Sequence, residues 1–406
     1  MLSLGKTIAN LTRHRRQWDK LWKMPPGLVQ AAEPPASPLR EVKNFGLNPG
    51  RLRMLTFVPE HLPPSPALVV VLHGCTQSAA GYDYGAGWST LAERYGFICV
   101  LPEQQFANNP KRCFNWFRLA DSERGRGEAA SIRQMVEKAV ADHGVDCGRI
   151  FVTGLSAGGA MTSVMLATYP DVFAAGAIIA GLPYRAANNV PQAYESMFQG
   201  VTHSAREWGD LVRRASPHKG PWPRVSVWHG DADATVAPVN AGEIIKQWTD
   251  VHGLDPAPTL SETVDGYPRQ VWRNKAGDAT IESYTITSMA HGTPLAVGDG
   301  DGQCGTVGAF LLDVGISSSY HIAKFFGLTT HKRSLLSVWL GGASLVPDQP
   351  ATAPRDGIAA ESTTRHEKAE AEPADAQPSD GHANDRTGHI ESVITKALKA
   401  AGLMKP

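Results

Sequence analysis

Along the chain, short apolar blocks alternate between a period of two residues and a period near 3.6. Arg51–Val58 alternates apolar and polar positions, as a half-buried antiparallel strand does. Ala67–Leu72 (ALVVVL) and Phe97–Leu101 (FICVL) are continuous apolar runs of the kind found in buried parallel strands. Helical spacing is read over Trp88–Tyr95 and over Gly127–His143, where Ile132, Met135, Val136 and Ala139 recur together. There follow a strand at Arg149–Thr153, a small-residue helix at Gly158–Thr168, and strands at Val172–Ala180 and Pro223–Trp228. A helix at Ala241–His252 and a last alternating strand at Ala279–Thr287 close the pattern. Strands separated by helices of this length predict βαβ units: an α/β fold with a mostly parallel sheet flanked by helices.

This alternation occupies residues 39–328, which is read as one large catalytic domain within 406 residues. A polar, partly helical insert at 183–222 interrupts it and is read as a small cap. Residues 1–38 form a basic leader, partly helical, in which Arg13, Arg15, Arg16, Lys20 and Lys23 accompany Leu11, Trp18, Leu21 and Trp22. Its expected use is peripheral surface contact through the basic helix, or docking on the protein itself. Residues 329–389 turn rich in Ala, Pro, Asp, Glu and Ser and are read as mostly disordered, because they bury too little apolar surface to offset ordering entropy. An amphipathic helix is expected at 390–404.

Charge removes one class of function. Lys+Arg and Asp+Glu both number 39, which excludes a bulk electrostatic binder of nucleic acid. The neutrality is a sum of unlike parts: residues 1–60 carry 10 basic and 4 acidic side chains, and 345–390 carry 4 and 9. No run approaches the roughly 18 apolar residues of a transmembrane helix. The first residues lack the apolar run and cleavage site of a secretory signal, so a cytoplasmic location stays open beside export. Five scattered cysteines without a CxxC pair argue against a disulfide scaffold and against a zinc site.

The candidate chemistry starts at Gly154-Leu155-Ser156-Ala157-Gly158. This G-x-S-x-G follows a predicted strand and opens a small-residue helix, the context a nucleophile elbow needs. A carboxylate and a base are expected further on, in that order. Asp231 and Asp233 both lie just past a buried strand; Asp233 is preferred as the acid, with Asp231 satisfying turn N–H groups. His291 follows the last strand in a glycine-bearing loop and is the expected base. His73 and His229 also follow buried strands, where a histidine more often hydrogen-bonds the backbone. An oxyanion hole needs two N–H donors. Ala157 would supply one, and the loop His73-Gly74-Cys75-Thr76-Gln77 the other, through Cys75 or Thr76.

Taken together, His73–Gln77, Cys113-Phe114-Asn115-Trp116-Phe117, Arg124-Gly125-Arg126-Gly127-Glu128, Gly154–Gly158 and Met289–Pro294 resemble the esterases of the poly(3-hydroxybutyrate) depolymerase family. The match is to the type in which the oxyanion loop precedes the serine motif, and it covers about residues 40–328. The resemblance implies an α/β-hydrolase domain that cleaves esters with no metal or organic cofactor. It carries the nucleophile to Ser156, the acid to Asp233, the base to His291 and the oxyanion loop to Cys75. Trp116 and Thr76 would then line the substrate groove, although spacing alone equally fits Trp116 as a core residue. Cys75 and Cys113 either pair near the site or stay as thiols.

The expected function is a serine esterase acting on short-chain hydroxyalkanoate polyesters, oligoesters or small esters. Feruloyl or acetylxylan ester hydrolysis is the alternative within enzymes. A non-catalytic polyester-granule binding protein on the same scaffold is the alternative outside them.

Overall fold

A computed structural model describes residues 37–330. The leader helix, the tail and the terminal helix read from the sequence lie outside the described residues. The chain enters through an antiparallel pair, β1 (Arg40–Val42) and β2 (Arg53–Phe57), with Arg40 opposite Thr56. Then come β3 (Leu68–Leu72), α1 (Ala79–Ala86), α2 (Trp88–Tyr95), β4 (Ile98–Glu103), the one-turn α3 (Leu119–Ser122) and α4 (Gly127–His143). β5 (Ile150–Leu155), α5 (Ala157–Thr168) and β6 (Ala175–Ile179) precede α6 (Val190–Phe198) and α7 (Ala205–Arg214). After β7 (Arg224–Gly230) and α8 (Val239–His252) run β8 (Leu260–Val264), β9 (Tyr267–Arg273) and β10 (Ala279–Ile286). A small parallel pair, β11 (Thr293–Leu295) and β12 (Leu311–Asp313), and α9 (Ser318–Phe325) follow.

Ten strands form one sheet in the order β1-β2-β4-β3-β5-β6-β7-β10-β9-β8. From β4 across to β10 every neighbouring pair is parallel. The strands at either side join antiparallel. β3 and β4 are buried at every position because helices cover both faces, which is why their sequences lack polar alternation. One core cluster joins Leu68, Val70 and Val100 to Met135, Met161 and Trp248; the other joins Val69, Val71 and Cys99 to Tyr82, Trp88 and Ile322. No helix among the described residues is long and apolar enough to cross a membrane.

Three differences from the sequence reading have physical causes. β10 is not half-exposed: Thr280, Glu282 and Ser283 are buried. Glu282 accepts from Arg269 Nη2 and Ser226 Oγ, both at 2.7 Å, so polarity there marks an internal network, not a wet face. β8 and β9 were not foreseen, since an edge hairpin with largely exposed residues carries little apolar signal. α1 (AAGYDYGA) holds two glycines and a weak stripe, but Ser78 caps it by accepting from Gly81 N–H at 3.1 Å. Within the insert at 183–222, Trp208 of α7 is buried and donates its indole N–H to Glu243 of α8 at 2.7 Å.

Candidate active site

β5 delivers Ser156 into the turn before α5 with φ 58° and ψ −117°. A non-glycine residue in that region is strained by crowding at Cβ, so the surroundings must hold it. They do so by close approach. A Cβ on Gly158 would collide with the Leu72 carbonyl oxygen, and one on Gly154 would stand 2.6 Å from the Gly158 carbonyl carbon. Ser156 N–H donates to Ile179 O at 2.9 Å, which ties the turn to the neighbouring strand. Ala157 opens α5, so its N–H has no intrahelical acceptor.

Asp233 and His291 follow the carboxyl ends of β7 and β10, and the sheet register levels these ends with β5: Leu155 pairs with Ile179, and Ile179 with Trp228. His291 Nδ1 lies 2.7 Å from Asp233 Oδ2. The other carboxylate oxygen accepts from Thr235 N–H at 2.8 Å and Val236 N–H at 2.9 Å. Burial of Asp233 works against its charge, yet hydrogen bonds from His229 and His291 outweigh it and hold the carboxyl well below the ordinary range. Asp231, by contrast, is exposed and accepts from Ser288 N–H at 2.6 Å, the turn role expected for it. Among the described residues the Ser156 hydroxyl has no hydrogen-bond partner, His291 included; in free enzymes a nucleophile–base bond often forms only around substrate.

The loop after β3 is braced from several sides. Cys75 and Cys113 form a disulfide. Gly74 N–H donates to Gln77 Oε1 at 2.8 Å, Thr76 N–H to Lys111 O at 2.7 Å, and Arg112 Nη2 to Thr76 O at 2.9 Å. The Thr76 N–H is therefore spoken for, whereas Cys75 N–H has no partner among the described residues. Of the two donors left open by the sequence, Cys75 is the one free to meet an oxyanion. Thr76 itself is held at φ 67°, a conformation costly for a β-branched residue.

Residues 58–263 match the family model described as Esterase PHB depolymerase. The chain belongs to this family. It is 50% identical over 291 residues to poly(3-hydroxyalkanoate) depolymerase C of Paucimonas lemoignei, spanning 71% of this chain and 70% of that protein. It is 34% identical over 297 residues to feruloyl esterase B of Neurospora crassa, spanning 71% and 92%. Among solved structures, an acetyl xylan esterase from Aspergillus awamori superposes with a TM-score of 0.60 at 28% identity, over 71% of this chain and 99% of that one. The protein is accordingly a carboxylic ester hydrolase of the α/β-hydrolase fold within the PHB depolymerase family.

In this esterase Trp116 belongs to the hydrophobic core with 6% of its surface exposed, edge-on to Phe117 at 5.5 Å. The core placement that its spacing equally fitted is the one the fold adopts. His73 does what a strand-end histidine was expected to do, facing Gly74 O with Nδ1 at 2.7 Å and accepting from Gln104 N–H on Nε2 at 3.1 Å. Burial pushes its pKa down to about 4. His229 was under-read. Its Nε2 donates to Val236 O at 2.9 Å, as expected of it, but also stands 3.4 Å from Asp233 Oδ2. The four-residue spacing of His229 and Asp233 was visible, but only the turn after β7 folds one back onto the other.

Proposed function

We propose that this esterase cleaves short-chain hydroxyalkanoate esters through an acyl-enzyme on Ser156, with His291 as general base and Asp233 as its orienting acid. The observation that carries the reading is the 2.7 Å bond between His291 Nδ1 and Asp233 Oδ2, from a carboxylate pinned by two backbone N–H groups. With Nδ1–H donating to Asp233, the lone pair of the imidazole is on Nε2, ready for a serine proton.

Ser156 Oγ attacks the ester carbonyl carbon while its proton passes to His291 Nε2. The oxyanion that develops is received by Cys75 N–H and Ala157 N–H. His291 then gives the proton to the departing alkoxide oxygen as the C–O bond breaks, leaving an acyl-serine. Water repeats the sequence and releases the acid. The lowered pKa of Asp233 keeps it anionic throughout, so it stabilises the imidazolium without taking the proton.

The substrate class is supported by the greater identity to the protein named a poly(3-hydroxyalkanoate) depolymerase, 50% against 34% for the one named a feruloyl esterase. Thr76 and the small exposed part of Trp116 are the proposed substrate contacts. A second reading, hydrolysis of acetyl or feruloyl esters on carbohydrate, is favoured by the structural likeness to an acetyl xylan esterase. A panel of 3-hydroxybutyrate oligomers, polymer film, acetylated xylan and a feruloyl ester separates the two, run beside Ser156→Ala. Oligoester turnover that Ser156→Ala abolishes supports the first reading. Turnover confined to carbohydrate esters supports the second, and full activity of Ser156→Ala sinks the nucleophile assignment.

A further inference from the structure

The Arg124–Glu128 motif has no part in the chemistry above, yet Glu128 is 1% exposed and no cation pairs with it among the described residues. Its carboxylate accepts three N–H bonds: Asn115 N at 2.7 Å, Asn115 Nδ2 at 2.6 Å and Gln104 Nε2 at 2.5 Å. The amide orientations follow from backbone donors, which can only donate. Gln105 N–H donates to Gln104 Oε1 at 3.0 Å, which turns the Gln104 amide nitrogen toward Glu128. Lys111 N–H donates to Asn109 Oδ1 at 2.9 Å; Asn109 Nδ2 therefore donates to Asn115 Oδ1 at 3.1 Å, and Asn115 Nδ2 faces Glu128. A shell made only of donors calls for a carboxylate. Burial and the nearby Asp121 push its pKa up, while the three N–H donors pull it down, so the acid is held here against a desolvation cost.

Both residues that Glu128 grips lead to Cys75. Gln104 N–H donates to His73 Nε2 at 3.1 Å, so His73 is neutral with its proton on Nδ1 and donates that proton to Gly74 O at 2.7 Å. Gly74 C=O and Cys75 N–H belong to one planar trans peptide, so holding the first aims the second. Asn115, in turn, lies two residues beyond Cys113, which is disulfide-bonded to Cys75.

We propose that Glu128 is a positioning residue for the oxyanion hole, clamping Gln104 and Asn115 so that His73 and the Cys75–Cys113 disulfide fix the direction of the Cys75 N–H. The proposal rests on the assignment of Cys75 N–H as an oxyanion donor.

Glu128→Gln sets an amide N–H₂ against N–H donors while keeping size. Removing one oxyanion donor costs about 100- to 1000-fold in kcat, so misaiming one should cost about 10- to 100-fold with KM within about twofold. Affinity for a trifluoromethyl ketone that forms the oxyanion on the serine should fall by a similar factor, with the disulfide intact by mass spectrometry. Wild-type kcat, or a kcat loss with unchanged ketone affinity, overturns the proposal. If Glu128→Gln does not fold, His73→Leu and His73→Asn carry the test, since only the asparagine amide reproduces the Nδ1 donor to Gly74 O. Higher kcat and ketone affinity in His73→Asn than in His73→Leu supports the proposal, and equal values overturn it. A crystal structure of the wild-type phosphonate adduct tests the underlying assignment separately. A phosphonyl oxygen away from Cys75 N–H overturns both, whereas one bonded to it beside a fully active Glu128→Gln overturns the positioning role alone.

Discussion

His291 and Asp233, 58 residues apart in sequence, meet at 2.7 Å through Nδ1 and Oδ2. Because Oδ1 of the same carboxylate is committed to Thr235 and Val236 N–H, the oxygen left for His291 is determined by the turn and not by side-chain choice. Asp233→Asn should therefore keep the fold and lose the tautomer: an amide nitrogen facing Nδ1 favours the wrong protonation. The expected loss in kcat on a p-nitrophenyl short-chain ester is about 10⁴-fold, with little change in KM. A variant within tenfold of wild type would show that Asp233 does not serve His291.

His229 Nε2 stands 3.4 Å from the same carboxylate oxygen while its Nε2–H is chiefly spent on Val236 O. His229→Leu removes a buried donor and leaves that carbonyl unpaired, which should lower stability by about 1–3 kcal/mol. The effect on kcat should be modest, about threefold to tenfold, because the stronger bond from His291 remains. Urea melts and kcat measured on one preparation check the two together. A thousandfold kcat loss at unchanged stability would instead make His229 a direct participant.

The Cys75–Cys113 disulfide closes a loop across a separation of 38 residues. Loop-closure entropy assigns such a bridge about 3–4 kcal/mol. Its loss frees Cys75, whose N–H is the proposed oxyanion donor, so Cys113→Ser should lower both Tm and kcat. Mild reduction should do the same reversibly. Loss of Tm with unchanged kcat would confine the bridge to stability.

Acid should destabilise the fold through buried neutral histidines. His252 donates Nε2–H to Pro223 O at 3.0 Å, and burial pushes its pKa down from 6.5 to about 4. His73 is lowered to about 4 by the same cause. Below pH 6.5 the unfolded chain takes up protons that these sites refuse, so their contribution is present above that value and is lost as pH falls toward 4. In His252→Gln, far from the site, the drop in unfolding free energy between pH 7 and 5 should be smaller than in wild type by about 1–2 kcal/mol. Equal drops in both proteins would remove His252 from the cause.

The parallel-strand core was legible because burial on both faces leaves only apolar residues, as in Leu68–Leu72, and α4 was read at its observed bounds, Gly127–His143. The tight turn at Ser156 was legible because it needs Gly154 and Gly158 where Cβ atoms do not fit, a local demand written in five consecutive residues. The order of Ser156, Asp233 and His291 was likewise present in the linear chain, as was the resemblance to the family that the comparisons bear out. β8 and β9 were not legible, because edge strands bury little and so impose little on composition.

What the tertiary structure alone decided concerns relations between distant segments. It paired Cys75 with Cys113, occupied Thr76 N–H with Lys111 O, brought His229 beside Asp233, and enclosed Glu128 in donors from Gln104 and Asn115. Apolar periodicity and glycine spacing record what a segment must do within itself and against a general core. Which polar atom meets which is set by the sheet register and by the loops at the strand ends, and a one-dimensional pattern carries no record of that geometry.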